Sequence, residues 1–195
     1  MLRKLLLTSA LLLGVASAGF ATENPQQQQM AMWRQVSFPL DNFTRFSSRF
    51  GWRGSPTGGR GHEFHSGLDM PAPTGSYLRA WADGQVVDVS YDSRCGNHVI
   101  IVSGEWRSAY CHLSAMAVKV GDFVQAGQVV AAVGSTGRST GPHLHWTLRY
   151  QGQLVDPELV IRAMQAAWKG GSAPEVAPAE DVPETAQQST VLGDP

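Results

Sequence analysis

The sequence lacks an excess of positive charge and is poor in charged residues of either sign. Only 16% of its 195 residues are Asp, Glu, Lys or Arg, and the formal net charge is −1. This composition argues against a strongly basic nucleic-acid-binding protein, and we predict no nucleic-acid partner. Residues 170–195 contain no Lys or Arg, so negative charge is concentrated in that stretch.

The sequence also lacks an N-terminal apolar run long enough to span a bilayer. Residues 5–15 follow Arg3 and Lys4 and reach about half of the roughly 20 residues that a spanning helix needs. Small residues follow, with possible cleavage after Ala18 or Ala21, which is typical of a secretory signal peptide over residues 1–21. That stretch has no cysteine, which excludes a lipid-anchored cysteine start. We expect an exported protein without a membrane span in the mature chain.

Composition divides the rest of the chain into three parts. Residues 22–35 include a Gln-rich run and are predicted to be a flexible N-terminal segment. Residues 36–169 have the length and composition of one domain, with no internal repeat of solenoid length. Residues 170–195, rich in Pro, Ala and Glu, are predicted to be a disordered tail, because their few apolar residues cannot offset the entropy of ordering.

The 21 glycines and 11 prolines favour a turn-rich β fold. Alternating or apolar runs predict short strands at 77–82, 85–90, 97–102, 106–112, 118–123, 128–133 and 143–150. Their spacing indicates a mainly antiparallel β-sandwich or barrel-like domain. One short C-terminal helix is predicted over Pro157–Trp168, with Asp156 as its N-cap.

Five of the six histidines lie near Gly-rich turns. Because side chains two apart on a strand share a face, His143 and His145 should point into the same space. His65 and Asp69 would also share a face in extended chain. One Asp and two His leave an open fourth position, which is typical of a catalytic zinc site.

Two other histidines have a different interpretation. His62 and His65 superficially resemble a helical zinc motif, but their spacing and the glycines around them are incompatible with that helix face. His62 and His98 are therefore predicted to be surface or rim residues.

Three ordered motifs carry a family resemblance: His65–Asp69, Tyr110–Ser114 and Gly137–His145. Together with 48–53, 82–84, 95–97 and 155–157, they resemble the lysostaphin-type (LytM-like) peptidoglycan zinc metalloendopeptidases over about 120 residues. The resemblance implies a mainly antiparallel β domain with a groove over one Zn²⁺ per chain.

The resemblance also implies site residues. His65, Asp69 and His145 match the family's zinc ligands, and His112 and His143 match its two catalytic histidines. The implied reaction is hydrolysis of peptidoglycan peptides by a zinc-activated water, with one histidine transferring protons and the other stabilising the oxyanion. The periplasm is the expected location, with the extracellular space as the alternative, because no wall-binding module is recognisable.

Cys95 and Cys111 are an even pair in a chain expected to be exported. In the predicted hairpin, position 98 lies opposite 111, so a Cys95–Cys111 disulfide is predicted, with two small buried thiols as the alternative. Strand alternation places Cys111 on the face opposite His112, which disfavours a metal-binding role for Cys111.

Two other functions are compatible with parts of the sequence. A catalytically silent relative could activate another cell-wall hydrolase, but such proteins usually lack a zinc ligand. The hairpin at 118–128 resembles biotinyl and lipoyl carrier domains, but no Lys lies between Gln125 and Tyr150 to carry a cofactor. A regulatory protein partner is compatible with the sequence but is not identified by it.

Overall fold

The computed structural model describes residues 25–55 and 61–188. The predicted signal peptide, residues 1–21, lies outside the described residues. The helices are α1 (Pro25–Arg34), α2 (Pro157–Lys169) and α3 (Glu184–Gln187). The strands are β1 (Gly51–Gly54), β2 (His62–His65), β3 (Leu68–Pro71), β4 (Tyr77–Arg79), β5 (Gly84–Asp92), β6 (Gly96–Ser103), β7 (Trp106–Cys111), β8 (Leu113–Met116), β9 (Phe123–Val124), β10 (Val129–Val133), β11 (His143–Tyr150) and β12 (Gln153–Val155).

The strand pairs of the described chain are all antiparallel, which confirms the predicted mainly antiparallel β fold. The largest sheet has the order β12-β11-β7-β6-β5-β9, and β3 pairs with the first half of β11 on the same edge as β12. A second sheet has the order β4-β10-β8, and β1 and β2 form a hairpin. These sheets are open rather than closed into a barrel.

Strand β11 connects the core to the cavity that contains the histidines. Leu144, Trp146 and Leu148 alternate along it and are fully buried in the main hydrophobic cluster. The opposite face therefore presents His143 and His145, as the strand period of two requires. Packing of three large apolar side chains fixes which face of β11 is turned to the core.

One predicted strand is wrong. The run 118–123 forms strand only at Phe123, within β9, and most of it is a turn. In that turn the Asp122 carboxylate accepts a hydrogen bond from the Lys119 backbone N–H at 3.0 Å. The strand that precedes this turn is β8, which is a strand because it pairs with β10.

The predicted C-terminal helix is present as α2 and extends one residue beyond the prediction. The Asp156 side chain accepts from the Glu158 N–H, and Pro157 occupies the first helical position. Gly170 ends the helix with a φ of 71°, the left-handed conformation that glycine adopts at low cost. An apolar stripe that includes Val160, Ala163 and Met164 packs into the core.

The segment predicted to be flexible, residues 22–35, instead contains helix α1. Trp33 is only 1% exposed, and the Arg34 side chain donates to the Ala167 carbonyl at 3.1 Å. Burial of a large aromatic side chain stabilises the folded state by about 2–3 kcal/mol. A prediction based on the Gln-rich composition does not include this contribution.

The disorder predicted for the C-terminal tail is also not what the structure shows for residues 170–188. The guanidinium of Arg149, a buried residue, donates to the Gln187 carbonyl at 2.8 Å and to its side-chain oxygen at 2.9 Å. The Ala179 N–H donates to the Leu154 carbonyl at 2.9 Å. The tail thus supplies hydrogen-bond acceptors to the buried guanidinium of Arg149, which would be costly to leave unpaired. The composition of the tail does not reveal this long-range contact.

A disulfide joins Cys95 to Cys111, with their Cα atoms 4.9 Å apart. It connects the loop before β6 to the last residue of β7. In the described residues, no helix combines the length and apolar character required to cross a membrane.

We expect the Cys95→Ser/Cys111→Ser double variant to lose about 3 kcal/mol of unfolding free energy. The bridge closes a loop with a sequence separation of 16, and its removal restores chain entropy to the unfolded state. Urea denaturation measures the change. Reductant should destabilise the wild-type protein similarly and leave the double variant unchanged; a wild-type protein insensitive to reductant would contradict the bridge.

Candidate metal centre

Three potential ligand atoms converge from three strands. Asp69 Oδ1 lies 3.1 Å from His65 Nε2 and 2.8 Å from His145 Nδ1, and the two nitrogens are 3.0 Å apart. His65 ends β2, Asp69 lies in β3 and His145 lies in β11. In the described chain, Asp69 and His145 are direct cross-strand partners.

The hydrogen bonds of His65 show why this arrangement suits a cation. His65 Nδ1 lies 2.7 Å from the Arg49 carbonyl oxygen, which can only accept, so Nδ1 carries the proton. In the neutral ring Nε2 therefore presents a lone pair to the Asp69 carboxylate and to His145 Nδ1. Facing lone pairs repel unless a cation lies between them. Tetrahedral zinc with bonds of about 2.0–2.1 Å separates its ligand atoms by about 3.3 Å, close to these spacings.

Asp69 is held as a carboxylate by its neighbours. Burial acts to raise its pKa, but the contacts with His145 and His65 outweigh burial and lower that pKa well below its usual range. Its second oxygen, Oδ2, accepts from Arg53 Nη1 at 3.1 Å. Oδ1 is therefore the oxygen that faces the two ring nitrogens.

The last ligand candidate, His145, lies beside a hydroxyl. Thr147 Oγ1 is 3.0 Å from His145 Nε2, which leaves Nδ1 to face Asp69. Burial lowers the pKa of His145, which favours its neutral form. A neutral imidazole is the form that coordinates metal ions.

His112 and His143 form a second pair in the same cavity, with ring centroids 4.6 Å apart. Each Nδ1 donates to a backbone carbonyl at 2.7 Å: that of Thr136 for His112, and that of Gly141 for His143. In the neutral form of each ring Nε2 is therefore the nitrogen without a proton, and that of His143 lies 3.6 Å from Asp69 Oδ1. Burial, followed by the charges of His145 and His143, lowers the pKa of His112 to about 4.

The backbone turns sharply at His112, between β7 and β8, where φ is 65°. This left-handed residue interrupts the alternation of the strand, so Cys111 and His112 both line the cavity. The prediction that Cys111 points to the opposite face is therefore wrong. The disulfide, rather than its direction, removes Cys111 as a metal ligand, since its sulfur is bonded to Cys95.

The remaining two histidines differ from each other. His62 is exposed, as predicted, but His98 is only 3% exposed, so its prediction as a surface residue is wrong. His98 Nδ1 donates to the Gly96 carbonyl at 3.0 Å, and Nε2 lies 3.2 Å from Asp88 Oδ2. A lone histidine in sequence carries no sign of partners brought by the neighbouring strand. His98, Asp92 and Cys95 also cluster, but the disulfide takes the Cys95 sulfur.

All five predicted site residues line one open cavity, and three arginines that also line it are not among the predicted site residues. Arg53 contacts Asp69 directly and also donates to Glu63 at 3.1 Å. Arg94 and Arg138 are the other two arginines of the lining. Cross-strand pairing of Arg53 with Glu63 in the β1-β2 hairpin is the signal that could have identified the first of them.

Known proteins match this chain in sequence and in structure. The profile of Peptidase family M23 matches residues 63–157. The DD-carboxypeptidase/endopeptidase Mpg of Neisseria meningitidis serogroup B is 43% identical over 116 residues, which is 59% of this chain and 26% of that protein. The chain thus spans about a quarter of the length of this curated relative.

Two solved structures are similar. A zinc-containing peptidase from Vibrio cholerae has a TM-score of 0.58 at 34% identity, covering 63% of this chain and 39% of that one. The catalytic domain of the prophage-encoded M23 protein EnpA from Enterococcus faecalis, a mutant form, has a TM-score of 0.54 at 39% identity. That match covers 64% of this chain and 95% of the EnpA domain. With a whole catalytic domain matched in both fold and sequence, the chain belongs to Peptidase family M23.

Proposed function

We propose that the chain is an exported zinc metalloendopeptidase that hydrolyses peptide cross-links of bacterial cell-wall peptidoglycan. The observation that carries this proposal is the convergence of His65, Asp69 and His145 beside His112 and His143 in one open cavity. The peptidase names of the matched proteins, one of which contains zinc, support the same chemistry. The signal-like composition of residues 1–21 supports export, and we propose the periplasm as the destination, with the cell exterior as the alternative.

His65, Asp69 and His145 would hold the zinc ion through Nε2, Oδ1 and Nδ1. Two nitrogens and one carboxylate oxygen are a donor set that catalytic zinc accepts, with its fourth position open to solvent. When bound, zinc supplies Lewis acidity and lowers the pKa of water to about 7. The two ring nitrogens and Asp69 Oδ1 already lie within 3.1 Å of one another, as this role requires.

His112 and His143 would move the proton and balance the developing charge. Their Nδ1 protons are committed to the carbonyls of Thr136 and Gly141, so Nε2 of each ring is the atom available to the substrate. One of the two accepts a proton from the attacking water at Nε2 and transfers it to the leaving amine. The other would stabilise the oxyanion that develops on the scissile carbonyl, which requires its Nε2 to be protonated so that the N–H can donate to that oxygen.

Arg53 would position Asp69 rather than contact the substrate. Its Nη1 also donates to Ser48 Oγ at 2.5 Å, and its Nε and Nη2 face Glu63, so the guanidinium is held from two sides. The charge on Arg53 fixes Asp69 Oδ2 and leaves Oδ1 directed at the metal position. Outer partners of this kind orient a metal ligand and tune its affinity.

Digestion of purified sacculi tests the proposed function. The zinc-loaded protein should release soluble peptide-bearing fragments with new amine termini, identified by mass spectrometry. A chelator should abolish the release and added zinc should restore it. Intact sacculi with this protein alone, but faster digestion when it is added to another wall hydrolase, would instead favour the activator function.

Replacing Asp69 with Ala should remove bound zinc, because only two nitrogens would remain to hold the ion. Elemental analysis of the purified protein measures the loss, and activity on sacculi should disappear with it. His62→Ala is the matched control, since His62 is an exposed histidine outside the cluster and should keep full zinc. Stoichiometric zinc in the Asp69→Ala protein would refute the ligand assignment.

Arg53→Gln should weaken zinc affinity by about 10–100-fold, the usual effect of losing an outer partner of a ligand. Competition with a chromophoric chelator measures this affinity without relying on activity. Arg53→Lys should recover part of the loss because the charge is kept while the fork of donors is not. Unchanged affinity in Arg53→Gln would show that Asp69 is oriented without it.

His112→Ala and His143→Ala should each lower kcat by about 10²-fold or more while zinc remains stoichiometric. Neither ring is needed to hold the ion, so elemental analysis separates this effect from metal loss. Initial rates on a soluble cross-linked peptide give kcat. Wild-type kcat in either variant would remove that histidine from the reaction.

A further inference from the structure

Two arginines stand on the part of the cavity wall that holds His112 and His143. The Arg138 N–H donates to the Arg94 carbonyl at 2.9 Å, so the two residues lie on adjacent backbone segments. Arg94 precedes Cys95, whose carbonyl accepts from the His112 N–H at 2.7 Å. Arg138 belongs to the loop whose carbonyls accept from both histidine rings. Both arginine side chains line the same cavity as the five site residues.

The backbone beneath these arginines is tightly fixed. Asp92 Oδ1 accepts from the N–H groups of Arg94 and Cys95 at 2.6 and 2.8 Å, and Cys95 is held by the disulfide. Gly96 and Gly137 approach so closely that a Cβ on Gly137 would lie 2.3 Å from the Gly96 nitrogen. Two segments in such contact present their side chains from a preorganised platform, which lowers the cost of binding a ligand.

The cavity lining contains more arginines than carboxylates. Among the described lining residues the carboxylates are Glu63 and Asp69, and both are already engaged. Glu63 accepts from Arg53 at 3.1 Å and from Arg138 at 2.8 Å, while Asp69 faces Arg53 and two histidines. Arg94 is exposed, and its guanidinium makes no hydrogen bond or ion pair with any residue that the structure describes.

We propose that Arg94, with Arg138 beside it, binds a free carboxylate of the peptide substrate. A guanidinium is planar and offers paired donors that match a carboxylate. The cavity would therefore prefer a peptide with a free carboxyl group near the scissile bond over an uncharged peptide such as a glycine chain. This substrate class rests on the proposed peptidase function, and it deepens that function by assigning a subsite.

Two synthetic cross-linked peptides test the subsite, identical except that the carboxyl group beside the scissile bond is free in one and amidated in the other. The wild-type protein should cleave the free-carboxylate peptide with a kcat/KM about 10-fold higher, the effect of one charge-assisted hydrogen bond. Arg94→Gln should abolish that preference, mainly through KM, and leave the amidated peptide unaffected. Arg94→Lys should retain part of the preference.

Lys119→Gln is the matched control, since it removes one exposed positive charge outside the cavity lining and should change neither rate. Equal cleavage of the two peptides by the wild-type protein, or an equal loss on both in Arg94→Gln, would overturn the subsite and leave the peptidase function intact. Absence of cleavage of both peptides and of sacculi by the zinc-loaded protein would overturn the function itself. Calorimetric Kd values of the two peptides, measured in a His143→Ala background, keep these failures distinguishable because binding preference does not require cleavage.

Discussion

The pairing of β11 with β3 on one side and β7 on the other is the constraint on which the rest of the site depends. In that register His145 lies directly opposite both Asp69 and Cys111. A shift of one residue would turn the histidines of β11 into the core and Leu144 toward solvent. Because Leu144, Trp146 and Leu148 are fully buried, such a shift would cost several kcal/mol of apolar burial. The hydrophobic core thereby sets the geometry of the cavity.

The cavity itself is organised around excess acceptors. Backbone carbonyls accept hydrogen bonds from the outer nitrogens of His65, His112 and His143, so in the neutral rings the inner nitrogens are the ones that carry lone pairs. Lone pairs and a carboxylate then face a common space, which is favourable with a cation present and unfavourable without one. Arg53 donates a hydrogen bond to Asp69 Oδ2, so Oδ1 is the carboxylate oxygen that is left for the ion. The hydrogen bonds behind the ligands orient them and thereby raise the affinity of the site for a metal ion.

Covalent and conformational constraints act together at one end of the cavity. The disulfide fixes the end of β7, and His112 follows at once in a left-handed conformation. The same bridge anchors the segment of Arg94, beside which Gly96 and Gly137 allow two loops to meet. Residues that face the reacting groups and a residue proposed to recognise the substrate therefore share one rigid support. Oxidising surroundings are the setting in which such a support persists.

Local chemistry in the sequence determined several features. Alternation predicted that His143 and His145 share a face, and the Asp156-Pro157 start predicted α2, because strand period and helix capping are local properties. Order and composition also indicated an antiparallel β domain and grouped His65 with Asp69. The prediction of a shared face assumes that 65–69 is one extended segment, whereas the two residues belong to different strands.

Only the tertiary structure decided how distant segments meet. The burial of His98, the docking of α1 and the contact between Arg149 and Gln187 depend on partners far away in the chain, and local composition does not encode them. The left-handed turn at His112 is likewise imposed by its neighbours, since a histidine has no local preference strong enough to require it. Residue identity therefore specified which chemistry the chain could perform. Long-range strand pairing and packing decided where each group points, because those contacts stabilise local conformations that the sequence alone would not favour.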